Sequence, residues 1–402
     1  GFVQYVKWTS QQDPTGSHGY WRNALAGVSQ PTPFALSSTP VQTSGATAAQ
    51  PDETVVRISR DLTKDLRALA LATESTPSTL VQAAWALLLS HYADARDVVF
   101  GATLSGRPDH IEGIETLIGP CVTNVPVRVA LPADTALHGW LGRLQKQQLD
   151  LNQHQYTPLD AIQGVSDVSW NNRLFDSLIV FQNYQVDAAI GQLGRDAKLV
   201  PVQTPEATNY ALTIAASPGD ELILRLISHS TRLDRETVNA IANDLPVVFA
   251  ALAASRPETT LADVLERLPA ERRGKAATAR AAVVQRVRTS SSAAANTSTE
   301  RRLAEIWSKL LGRSDVGIDD NFFDAGGQSL LLLRMHKLIE EAFGVRVQIV
   351  KLLAHPTIRA LAISLDGGDG TAFASQPAGE AADRAMKQRA ALAKQRSRTK
   401  LG

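Results

Sequence analysis

Residues Asp319–Leu333 read DDNFFDAGGQSLLLL. Gly326 and Gly327 tolerate positive φ, which lets the chain turn sharply there from a loop into a helix. A strongly apolar stretch begins at Leu330 and runs to Phe343 at helical spacing. Ser329 therefore falls at or just before the first turn of that helix. The amides at a helix start are unpaired and carry partial positive charge, which favours a phosphate. On local geometry alone Ser329 suits two roles. It is an N-cap accepting a backbone N–H, or a hydroxyl that carries a phosphodiester. Helical spacing also sorts the leucines. Leu330, Leu333 and Leu338 are expected to face inward, and Leu331 or Leu332, with Met335, outward.

Working outward, Asp324-x-Gly326-Gly327-x-Ser329-Leu330 resembles the prosthetic-group motif of peptidyl carrier proteins from nonribosomal peptide synthetases. Glu300–Leu311 (ERRLAEIWSKLL) resembles their first helix, and Val316–Phe323 (VGIDDNFF) the loop after it. Phe343-Gly344-Val345 and His355–Leu361 (HPTIRAL) resemble their later short helices, with Pro356 suited to a first helical position. The resemblance implies an all-α four-helix carrier bundle over 299–367, with 4'-phosphopantetheine attached at Ser329 and Asp324, Gly326 and Gly327 completing the motif. The family usually has Leu where this chain has Ala325, and His or Asp where it has Gln328. Neither departure removes the nucleophile, and Gln328 leaves an uncharged position beside it for a modifying enzyme to meet.

Upstream, residues 1–265 alternate helical and strand patterns, which argues for layered α/β structure. Thr79–Tyr92 (TLVQAAWALLLSHY) reads as a buried helix, and Asp97–Phe100, Val125–Val129 and Leu178–Phe181 as strands. Tyr210–Ala215 and Glu221–Ser228 flank Ser217-Pro218-Gly219-Asp220 and read as a hairpin. Thr237–Ala254 returns to helix. No G-x-G-x-x-G or Walker loop is present to hold a nucleotide.

Several motifs of this region occur in the order found in condensation domains of the same synthetases. They are Tyr20–Gly27 (YWRNALAG), Val99–Pro108 (VFGATLSGRP), Ile118–Val129 (IGPCVTNVPVRV), His154–Leu159 (HQYTPL), Phe175–Tyr184 (FDSLIVFQNY) and Asn209–Thr213 (NYALT). They resemble the C-terminal half of that domain. The resemblance implies a chloramphenicol-acetyltransferase-like α/β half-domain over 1–265, in which two halves form a V around a tunnel. Asn124 and Asn209 are the tunnel-lining candidates, with inward structural hydrogen bonding equally open for Asn124.

The family's HHxxxDG motif belongs to the other half. Its second histidine is held to orient the acceptor amine or act as general base. The histidines here are 18, 91, 110, 138, 154, 229, 336 and 355, and no two are adjacent. No catalytic residue is therefore assigned within this chain. The chain opens on Gly1 rather than Met, and the half carrying the paired histidines is expected upstream. His154 reads as a structural position of the family, with a catalytic base as the alternative, Cys121 as a buried or tunnel-lining thiol, and Arg107 as an ion-pair partner or a residue facing a bound carrier.

Composition sets the outer limits. The 402 residues suggest about two to four domains. Lys+Arg 41 against Asp+Glu 40 gives a formal charge of +1, and hence no reason to expect nucleic acid or an anionic membrane as partner. One cysteine excludes an internal disulfide and a multi-cysteine zinc site, and no metal site is expected. No apolar run approaches the ~18 residues of a membrane span, so a cytoplasmic location is the expectation. Residues 266–298 include the aromatic-free, Ala- and Ser-rich Glu271–Thr297 and read as a linker with helical turns. Residues 368–402 form a tail with seven Lys or Arg between Arg384 and Lys400. It reads as a solvated helix, and it also resembles linkers that precede a polyketide synthase module.

These readings imply a set of partners. They are a phosphopantetheinyl transferase, an adenylation domain acting on the carrier, an upstream carrier with the N-terminal condensation half, and a downstream polyketide synthase module. No adenylate-forming motif occurs in the chain, so the carrier is expected to be loaded from outside it. Two alternatives stand beside amide formation: a non-catalytic docking module joined to a carrier, and an ester-forming condensation domain.

Overall fold

The computed structural model describes all residues except 1, 13–14, 37–50, 109–110, 120, 169–172, 183–207, 209, 229–231, 290–296, 312–315, 319–321, 323–328, 346, 348–350, 353–354 and 367–402. The chain divides into two compact units, Gly1–Ser291 and Ser292–Gly402. The larger unit begins with α1 (Phe2–Ser10), α2 (Thr15–Ala24), β1 (Asp52–Ile58), α3 (Arg60–Ala72), α4 (Pro77–Ala93), β2 (Asp97–Leu104) and β3 (Thr123–Ala130). It continues with α5 (Leu137–Asn152), α6 (Leu159–Gly164), β4 (Ser177–Phe181), β5 (Leu212–Ser217), β6 (Leu222–Ser228), α7 (Arg235–Ala253), α8 (Leu261–Leu265) and α9 (Lys275–Thr289). The smaller unit holds α10 (Ser298–Leu311), α11 (Ser329–Phe343) and α12 (Ile358–Asp366).

Every residue of α4 from Thr79 to Ala93 is buried. A helix that is apolar all round has no solvent face, so it must lie inside the unit. Its ends are specified locally. Thr76 accepts the Thr79 N–H with Pro77 in the first turn, and Asp94 closes the helix in the left-handed region at φ 48°. The six strands among the described residues form one mixed sheet in the order β1-β6-β5-β4-β2-β3. β4 runs parallel to β2 and β5, while β1/β6, β5/β6 and β2/β3 are antiparallel. The hairpin around Ser217–Asp220 forms as the sequence indicates, with Ser217 opposite Ile223. Trp85 of α4 donates its indole N–H to Ser177 Oγ of β4 at 3.0 Å, which ties the central helix to the sheet. Gly101 of β2 leaves room for the Phe175 ring, which a Cβ there would meet at 2.1 Å. The α/β class of the larger unit and the helical class of the smaller one are as the sequence implies.

The segment expected as a linker over 266–298 takes a different form from 266 to 289. Leu268, Ala276 and Ala279 are buried, the first two in the main core. Arg272 pairs with the buried Asp244 of α7, and Tyr92 donates to the other oxygen of that carboxylate at 2.8 Å. Arg273 Nε donates to Asp94 at 2.9 Å, the Gly274 N–H to the His91 carbonyl at 3.0 Å, and Arg280 to the Pro31 carbonyl at 2.6 Å. The His91 ring meets the Pro269 carbonyl at 2.9 Å. This strap packs by small residues at helical spacing and by arginines that hydrogen-bond inward. A composition reading takes such a stretch for solvated chain, because the apolar area per residue is small.

Candidate functional site

Thr297 opens the smaller unit by capping α10. Its hydroxyl accepts the Glu300 N–H at 3.0 Å, and the Glu300 carboxylate accepts the Thr297 N–H at 3.0 Å. This reciprocal pair satisfies two of the free amides at the helix start. Trp307 and Phe322 meet edge to face, 5.0 Å between ring centroids, at the centre of the helical core. Thr299 reaches Asp366 of α12 at 2.6 Å, and the Arg302 guanidinium lies 5.7 Å over the Phe343 ring. Two backbone bonds join residues that lie between the helices to the start of α12: Phe322 N–H to the Pro356 carbonyl, 2.6 Å, and Arg359 N–H to the Ile318 carbonyl, 2.9 Å.

On this frame α11 starts at Ser329. The serine is the first helical residue, so it lies among backbone amides with no partner within the helix. Fifteen residues of aligned peptide dipoles make up the helix, and their positive end favours an anionic substituent at the start. A hydroxyl at that end of a packed helix is suited to a phosphodiester. Asp324, Gly326 and Gly327 lie outside the described residues.

The inward face of α11 differs from the sequence expectation. Leu332, Met335 and Ile339 are the buried set, and Leu331 and Leu338 pack on the core only in part. The i, i+3, i+7 stripe is phased by Met335 and Ile339. Four consecutive leucines carry no phase of their own, which is why the expectation of an outward Met335 fails. The side chains of Leu330 and Leu333 lie outside the described residues.

The candidates of the larger unit separate in the structure. Asn124 sits opposite Thr103 in the β2/β3 register, and its amide oxygen accepts the Thr103 hydroxyl at 2.7 Å. Burial pushes the nearby Tyr210 hydroxyl above its ordinary value, opposed by Arg173 and Asn124. Tyr210 stacks on Phe175 with centroids 5.1 Å apart. Asn209 lies outside the described residues. Cys121 is 2% exposed, in a small cluster with Tyr5 and Ile114. The Tyr5 hydroxyl lies 2.7 Å from the Gly106 carbonyl and 3.0 Å from the Cys121 carbonyl. Arg107 donates to the Ile114 carbonyl and so ties down its own loop. His154 is within hydrogen-bond distance of Ser17, 137 residues away in sequence; no local motif announces that pair. No helix among the described residues is long and apolar enough to cross a membrane.

Comparison with known proteins agrees with this division. Residues 1–273 match the family model of the condensation domain, and residues 301–365 that of the phosphopantetheine attachment site. The chain therefore belongs to the condensation-domain family and carries a phosphopantetheine-binding carrier domain after it. It is a segment of a nonribosomal peptide synthetase. A linear gramicidin synthase protein of Brevibacillus parabrevis is 37% identical over 266 residues, 65% of this chain. The chain spans only 3% of that relative's length. Among solved structures, the condensation domain from Monacolin K polyketide synthase MokA superposes with a TM-score of 0.53 at 16% identity, covering 64% of this chain and 61% of its own. The X-domain from teicoplanin biosynthesis superposes at 0.51 and 22% identity, covering 65% and 61%. At these identities the likeness concerns the fold.

Proposed function

We propose that Ser329 carries the 4'-phosphopantetheine arm and presents an acyl, aminoacyl or peptidyl group as its thioester. The observation that supports this reading is the position of Ser329 as the first residue of α11, within the stretch matched as a phosphopantetheine attachment site. A phosphopantetheinyl transferase is the partner that installs the arm. The Ser329 oxygen bonds to the phosphorus bearing the pantetheine, and adenosine 3',5'-bisphosphate leaves from coenzyme A. Asp324, Gly326 and Gly327 are assigned to the loop that the transferase reads. An adenylation domain supplies the activated acyl group, because the chain has no adenylate-forming motif.

The larger unit is assigned to amide formation in the synthetase as a whole, together with an upstream carrier and the half of the domain that bears HHxxxDG. By itself this chain is expected to be inactive in condensation, because it holds no paired histidines. Asn124 and Asn209 remain proposed tunnel residues, and a downstream polyketide synthase module remains the proposed neighbour of the basic tail. The test is intact mass after incubation with coenzyme A and a broad-specificity transferase, followed by loading with an amino acid and addition of a donor thioester. The wild-type chain gains one phosphopantetheine and Ser329→Ala gains none. Amide product from this chain alone would refute the assignment of catalysis to the missing histidines.

A further inference from the structure

The larger unit holds a serine–histidine pair that the carrier reading does not use. Ser17 Oγ of α2 lies 2.9 Å from His154 Nδ1, just beyond the end of α5. The imidazole is stacked on Tyr20, with centroids 4.0 Å apart and 18° between the planes. The His154 backbone N–H donates to the Leu151 carbonyl at 3.0 Å. Stacking holds the plane of the ring, and Nδ1 is the ring nitrogen that faces the hydroxyl. Burial pulls the His154 pKa below its ordinary 6.5, opposed by the Asp150 carboxylate one turn back on α5. Tyr20, the other titratable neighbour, is pushed up to about 12, first by burial and then by Asp150, and stays a neutral phenol. A lowered pKa favours the uncharged ring at neutral pH, and in its Nε2–H tautomer Nδ1 accepts the serine proton.

Ser17 and His154 are both only half-buried, so the pair is reachable from solvent. A groove of about 510 Å³ between α2, β3 and α5 is walled in part by Tyr20 and Asp150, the neighbours of His154, although Ser17 and His154 do not themselves line it. That volume lies in the range of small-molecule sites. Gly16 precedes Ser17 in α2, and a Cβ there would meet nothing within 4 Å, so the chain beside the serine is uncrowded. Ser17 lies in the first turn of α2, where the free backbone amides are donors for a developing oxyanion.

We propose that Ser17 and His154 form a nucleophile–base pair that takes acyl groups from short acyl thioesters and passes them to water. In the first step the Ser17 proton moves to His154 Nδ1, Oγ bonds to the carbonyl carbon, and the C–S bond breaks. The leaving thiolate recovers the proton from the imidazolium. Water then attacks the acyl-serine ester with its proton going to the same nitrogen, and the free acid leaves as Ser17 is restored. Thioester and water are the only reactants. The activity needs no group on Ser329, so either assignment stands if the other fails.

The test treats the full chain with a fluorophosphonate and maps the adduct, then follows thiol release from acetyl-N-acetylcysteamine. The expected result is one adduct on the peptide holding Ser17 and none there in Ser17→Ala, which leaves the Tyr20–His154 stack in place. His154→Gln slows both labelling and thiol release by about 100-fold or more while the circular dichroism is unchanged. Both rates rise with pH through a midpoint below about 6.5. No adduct at Ser17, or thiol release unaltered in Ser17→Ala, overturns the proposal.

Discussion

Replacing Arg272 with Met removes one partner of a buried ion pair and keeps most of the side chain's packing volume. Asp244 is 2% exposed, and its carboxylate is held by Arg272 and by the Tyr92 hydroxyl at 2.8 Å. In Arg272→Met the negative charge stays buried with a single neutral donor. Breaking a buried pair from one side costs about 3–5 kcal/mol. The Arg272 side chain is 22% exposed, so some water reaches the site. The lower end, about 3 kcal/mol, is therefore expected. Urea unfolding of the full chain followed by tryptophan fluorescence reads this directly, because five of the six tryptophans belong to the larger unit. Asp244→Asn removes the buried charge. The double variant should therefore cost at least about 1 kcal/mol less than the two single costs summed. A loss under about 0.5 kcal/mol for Arg272→Met, the size of a surface substitution, would show that the strap is not part of the larger unit's core.

His91 gives a pH test of the same joint. Burial holds its imidazole below 6.5, so its contribution to stability is complete above about pH 6.5 and is lost as pH falls towards the folded value. His91→Gln should flatten that dependence in urea titrations at several pH values. Gly106→Ala places a Cβ 1.7 Å from the Cys121 carbonyl at φ +60°. It should lower the stability of the larger unit by at least about 2 kcal/mol and expose Cys121 to thiol reagents. Trypsin should cut after Arg272 or Arg280 no faster than the larger unit unfolds, since both guanidinium groups are held by partners. Early cuts there, with the sheet intact, would contradict the packed strap.

The legible parts of this fold are those whose determinants are local. The central helix is an uninterrupted apolar run, and the β5/β6 hairpin is marked by Ser217-Pro218-Gly219-Asp220. The place of Ser329 follows from two glycines before an apolar helix. The remainder depends on partners distant in sequence. β1 is an edge strand carrying Asp52, Glu53 and Arg57, and it pairs with β6, far along the chain, with Val55 opposite Arg225. Its alternation is too short and too charged to stand out. The strap is hidden because alanines and inward-bonded arginines compose like solvated chain. The phase of α11 is hidden because four leucines in a row fit any phase. Asn124 reads from sequence as a tunnel residue or an inward hydrogen-bonder. The cross-strand register, which brings Thr103 to it, supplies the hydrogen-bonding partner.

The central claim is that one serine in this chain bears the arm. Peptide-level mass spectrometry of the chain after treatment with coenzyme A and a phosphopantetheinyl transferase tests it most directly. The account predicts a single modified peptide containing Ser329, fragment ions that place the phosphopantetheine on that residue, and no modified peptide from Ser329→Ala. An arm located on any other residue, or one that persists in Ser329→Ala, contradicts it.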